Sequence, residues 1–132
     1  PIFGAAIRRC HAFPVKRGAS DRGAIKAAVA VLKEGRILGL FPEGTRSKTG
    51  ELQKAEAGVA LIAAMTGASI VPVAILNTHR IFANGGLIPQ LRIMYGEPIT
   101  FHGDRKSKES LDAFSEEIMG HIARMKEELA QK

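Results

Sequence analysis

Apolar residues recur along this chain with two periods, and the switches between them outline its elements. Behind Asp21, a good helix N-cap, Ile25, Ala28, Val29 and Leu32 fall at helical spacing, and Gly35 follows as a stop. Ile37 to Phe41 is a continuous apolar run, the signature of a strand buried on both faces of a parallel sheet. A second helix is predicted over 55–66, with Ala55, Gly58, Val59, Ile62 and Met65 on one face and Gly67 ending it. Ser69 to Leu76 reads as a strand interrupted at Pro72, which cannot donate to a ladder and demands an edge or a bulge. Residues 77–90 read as a loop, and Leu91, Ile93 and Tyr95 alternate as a further strand. From Ser107 onward Leu111, Phe114, Ile118, Ile122, Met125 and Leu129 form one long amphipathic stripe, expected to pack back on the sheet. Ala12 to Val15 is read as a short strand before Lys16 and Arg17.

The order strand–helix–strand–helix–strand predicts an α/β fold, a mostly parallel sheet flanked by helices with a long C-terminal amphipathic helix. In such sheets ligands gather beyond the carboxyl ends of strands. The run Phe41-Pro42-Glu43-Gly44-Thr45-Arg46-Ser47 stands at such an end. A carboxylate, a glycine, a hydroxyl and a guanidinium packed this closely have little use in a core. They suit an anion: arginine presents a planar fork of donors, and glycine lets backbone amides come close. Arg46 is the expected clamp, with Glu43 orienting it or a substrate hydroxyl, and Gly44 and Thr45 shaping the turn. Arg17 and Lys16, from the preceding strand, and Lys54, ahead of the second helix, are candidates to reach the same anion.

Composition narrows the picture. The 132 residues suffice for one domain with a core, and 45% hydrophobic with 24% charged is ordinary for a soluble fold. No apolar run approaches the roughly 18 residues of a membrane span, and Arg8 and Arg9 interrupt any signal-peptide core. The single cysteine, Cys10, leaves no internal disulfide and is read as a plain small side chain in a reducing compartment. The net charge of +6 is uneven: residues 1–54 hold 11 Lys/Arg against 4 Asp/Glu, and the remainder is slightly acidic. The basic half carries the Phe41–Ser47 run, which favours an anionic partner there. Nucleic acid fits poorly, because one Tyr and no Trp give no stacking platform. A nucleotide P-loop fails as well: Gly18 and Gly23 have the spacing, but Ala24 and Ile25 stand where Lys and Ser/Thr are required. The histidines at 11, 79, 102 and 121 form no metal pair at helical spacing.

Four stretches, in order, resemble the family of 1-acyl-glycerol-3-phosphate acyltransferases: Ala12-Phe13-Pro14-Val15-Lys16-Arg17, Phe41 to Ser47, Val71-Pro72-Val73-Ala74-Ile75 and Tyr95-Gly96-Glu97-Pro98-Ile99. Lys54 with Gly58 resembles the segment between the second and third of these. The resemblance runs from about Pro1 to Ile99 and is most specific at Phe41–Ser47. It implies a single acyltransferase domain in which Arg17, Glu43, Gly44, Thr45, Arg46 and Lys54 bind the acceptor phosphate. It implies transfer of a fatty acyl group from acyl-CoA or acyl carrier protein to lysophosphatidic acid, giving phosphatidic acid for phospholipid biosynthesis, with no metal or redox cofactor. The family's catalytic base is a His followed five residues on by Asp; here those positions are Lys16, Asn84, Ser107 and Lys126. No catalytic residue is therefore assigned in this chain, and the pair is expected upstream of Pro1, in an N-terminal portion that the chain lacks. The expected partners are a lysophospholipid acceptor, an acyl thioester donor and an anionic membrane surface on the cytoplasmic face of the membrane. A family member with another acceptor, or a non-catalytic phospholipid-binding module, are the rival readings.

Overall fold

The structure, a computed structural model, describes residues 9, 11–12, 21–44, 52, 55–77 and 91–131. It divides into two compact units, Pro1–Gly39 and Leu40–Lys132. In the first, helix α1 spans Arg22–Lys33. Its start is fixed as the sequence predicts: the Asp21 carboxylate accepts from the Ala24 amide at 3.1 Å, satisfying one of the orphan donors of the first turn. Ala28 and Val29 are its buried residues. The helix closes with Gly35 in the left-handed region at φ 74°, its amide donating to the Leu32 carbonyl.

The second unit carries helix α2 (Gly58–Thr66), strands β1 (Val73–Leu76) and β2 (Arg92–Tyr95), and helix α3 (Lys108–Gln131). β1 and β2 pair antiparallel, with Val73 opposite Tyr95 and Ile75 opposite Ile93. Pro72 falls where the ladder breaks. An isolated bridge joins Ile70 to Ile99 on one side of it, and its own carbonyl accepts from the Gly96 amide at 2.9 Å. The proline keeps the acceptor role it can fill and vacates the donor role it cannot.

One core holds this unit together. Val59, Ala60 and Ala63 of α2 meet Phe114, Ile118 and Ile122 of α3, with Phe101 stacked edge-on against Phe114 at 5.3 Å. The predicted stripe of α3 is the observed one: Phe114, Ile118, Ile122 and Leu129 are buried, and Leu111 and Met125 pack partly buried against them. Ser107 caps the helix, its hydroxyl accepting from the Ser110 amide. At the far end Arg92 of β2 donates to the Leu129 carbonyl at 3.1 Å, tying the last turn of α3 to the sheet. The α/β class and the long C-terminal helix stand as expected.

Two expectations are corrected. The buried strand Ile37–Phe41 is not formed: the segment holds no strand and has no described partner strand, Ile37 is 96% exposed and Phe41 82%. An apolar run becomes a buried strand only where neighbours supply a hydrogen-bond ladder and a cover on each face, and the described residues supply neither. The parallel pairing expected of that strand is accordingly not among the described residues. The second correction is the face of α2, which buries Val59, Ala60 and Ala63 while Met65 is 46% exposed. The helix is apolar almost all round, so its periodicity selects no face. Its small alanines allow the closest approach to α3, and that decides the orientation.

Candidate phosphate-binding turn

The Phe41–Gly44 segment is a closed turn. The Gly44 amide donates to the Phe41 carbonyl at 3.2 Å, and Gly44 itself has φ 63°, a conformation that side chains resist and glycine accepts freely. A second bond anchors the turn from outside: the Glu56 amide donates to the Pro42 carbonyl at 2.8 Å. Glu56 lies two residues before α2, so the turn is fastened to the lead-in of that helix. The fit is close. A Cβ added at Gly44 would stand 2.7 Å from the Glu56 Cγ and 3.2 Å from its Oε1. Glycine at 44 thus satisfies two separate demands, a positive φ and a close neighbour.

The helix end beside this turn has no side-chain cap. Its N-cap residue is Ala57, which offers nothing to the first-turn amides. An uncapped helix N-terminus carries partial positive charge and free N–H donors, and both favour an anion. Glu43 is half-buried in the turn and Gly44 is exposed. Arg17, Thr45, Arg46 and Lys54, the remaining members of the predicted set, lie outside the described residues, as does Lys16.

Glu56 was not legible as part of this site. It is separated from Gly44 by 11 residues with no motif between them that announces a contact. Only folding of the chain onto the start of α2 brings the two together. Nearby, an open cleft of about 450 Å³ lies between Ala55 and Ala57 on one side and Lys108, Asp112, Glu116 and Met119 of α3 on the other. It suits an anion poorly: its lysine is paired with Asp112 at 3.1 Å, and a second carboxylate faces it. Of the described histidines, His11 and His102 are exposed, His102 in the turn before α3, and His121 sits on α3 with its Nδ1 3.3 Å from an Arg124 nitrogen.

The model of a family described as acyltransferase matches residues 1–76, which hold the closed turn and all six predicted phosphate-binding residues. The chain belongs to the acyltransferase family. Its relatives agree with that membership. It is 33% identical to a 1-acyl-sn-glycerol-3-phosphate acyltransferase of Bacillus subtilis, over 98% of this chain and 64% of that protein. It is 34% identical to one of Streptococcus pneumoniae, over 98% of this chain and 48% of that protein. A chloroplast member from Arabidopsis thaliana is 34% identical over 80% of this chain and 31% of its own length. Among solved structures, the 1-acyl-sn-glycerophosphate acyltransferase of Thermotoga maritima superposes with a TM-score of 0.66 at 29% identity, covering 88% of this chain and 46% of that one. The chain thus spans less than two thirds of the length of each of these relatives.

Proposed function

We propose that the full-length protein transfers a fatty acyl group from an acyl thioester to the free hydroxyl of a 1-acyl-glycerol-3-phosphate, forming phosphatidic acid. This chain supplies the part that grips the acceptor's phosphate. The observation that carries the reading is the Phe41–Gly44 turn, closed on itself and fastened to the uncapped start of α2. In this scheme Arg46, Arg17 and Lys54 hold the phosphate, and Glu43 with the Gly44–Thr45 turn sets their geometry. A histidine oriented by an aspartate, carried elsewhere in the full-length protein, takes the acceptor's hydroxyl proton. The hydroxyl oxygen attacks the thioester carbonyl, the new ester bond forms, the carbon–sulfur bond breaks and the thiol leaves with a proton. The relatives' names support the acceptor and the reaction type.

Replacing Arg46 by alanine in the full-length protein tests the clamp. Loss of a charged hydrogen-bonding partner of this kind costs on the order of 2–4 kcal/mol, a rise of roughly thirty- to eight-hundredfold in the acceptor's KM. Unchanged acceptor kinetics remove Arg46 from the site.

The acceptor is a lipid, and no described helix is long and apolar enough to cross a membrane. The basic N-terminal half supports docking at an anionic bilayer surface, on the cytoplasmic face. Flotation of the full-length protein with vesicles of neutral and of anionic lipid tests this: co-flotation is expected, stronger with the anionic vesicles. Failure to float with either removes the proposal.

A further inference from the structure

Beside the turn that this reading makes an anion site stands a negative charge that the reading does not use. The Glu56 side chain lies directly over the Gly44 α-carbon, its Cγ 2.7 Å and its Oε1 3.2 Å from where a Cβ on Gly44 would be. Its backbone amide is committed to the Pro42 carbonyl, so the residue cannot drift from the turn without breaking that bond. The carboxylate makes no hydrogen bond or ion pair with a described side chain; the nearby Lys108 is engaged by Asp112. A carboxylate beside an anion site, with no cation paired to it among the described residues, acts on the ligand's charge.

We propose that Glu56 is a specificity-determining residue of the phosphate site, an electrostatic counterweight that weakens the grip on the acceptor's phosphate. The proposal rests on the reading of the turn as a phosphate clamp. Its chemical logic follows from what the clamp holds. The acceptor and the phosphatidic acid product carry the same phosphate, so a stronger clamp binds both alike. Such uniform binding lowers KM without speeding the chemical step, and it retains product. A carboxylate tethered beside the turn through its backbone trims that shared affinity and leaves the reacting hydroxyl untouched. Because Glu56 and Gly44 are both exposed, water screens the effect to a modest size.

The test uses the full-length protein with Glu56→Gln, which keeps the size of the side chain and the backbone bond to Pro42 and removes only the charge. Dissociation constants are measured for lysophosphatidic acid and for uncharged monoacylglycerol of the same chain length. Glu56→Gln is expected to bind lysophosphatidic acid roughly three- to tenfold more tightly, with the gain shrinking as salt is raised. Monoacylglycerol binding stays as in the parent protein, and Glu56→Asp, which restores the charge, restores the parent affinity for lysophosphatidic acid. Unchanged or weaker binding of lysophosphatidic acid overturns the proposal. So does an equal gain for monoacylglycerol, which would assign the effect to contact rather than charge. Failure of the underlying reading is a separate result, seen when Arg46→Ala leaves lysophosphatidic acid binding unaltered.

Discussion

The closest test of the turn is Gly44→Ala. Two costs are legible in the structure. Gly44 has φ 63°, and an L-residue there pays roughly 1–2 kcal/mol for the clash of its Cβ with the neighbouring carbonyl. The new methyl would also stand 2.7 Å from the Glu56 Cγ, well inside the roughly 3.5–4.0 Å at which carbon atoms sit comfortably. Glu56 is exposed and can swing outward, so this second cost is the smaller, and the sum is about 1–3 kcal/mol. Urea unfolding of the parent protein, Gly44→Ala, Glu56→Ala and the double variant separates the two. Removing the Glu56 side chain should recover the steric part and leave the backbone part. Gly44→Asn, which tolerates the left-handed region, should lose less of the backbone part than Gly44→Ala does. Gly44→Ala and Gly44→Asn should also raise the acceptor's KM, because they distort the turn proposed to shape the clamp. A Gly44→Ala protein within about 0.5 kcal/mol of the parent, with unchanged acceptor kinetics, would refute the reasoning.

Two further expectations concern the scaffold. Ile118→Ala empties a site that is 2% exposed at the centre of the α2–α3 core and should cost about 2–5 kcal/mol, read from the denaturation midpoint at unchanged m-value. Asp21→Ala removes the carboxylate that accepts from the Ala24 amide and should cost about 1 kcal/mol, with faster amide exchange confined to the first turn of α1; uniform exchange along α1 would show that the cap is not what holds it.

Local chemistry made much of this fold readable. Asp21, Gly35 and Gly67 mark helix ends because capping bonds and positive φ values depend on a few adjacent residues. The stripe from Leu111 to Leu129 is readable because its polar intervals leave a single face to bury. α2 offered no such contrast. A helix apolar on every side has its buried face chosen by its neighbour, here through Ala60 and Ala63 against α3. Ile37 to Phe41 failed for a related reason: apolarity states that a segment needs cover, and pairing partners decide whether it receives any.

The candidate site divides along the same line. By itself the sequence determined the ingredients of the proposed phosphate grip, since Glu43, Gly44, Thr45 and Arg46 are contiguous and their chemistry needs no folding to be recognised. It determined family membership through the ordered blocks, which the matched region 1–76 bears out. Only the tertiary structure decided that the turn is pinned by the Glu56 amide, and that a carboxylate 12 positions away in sequence lies over Gly44. That contact depends on where the backbone of one segment meets a helix start from another, and no pattern of neighbouring side chains encodes such a distance.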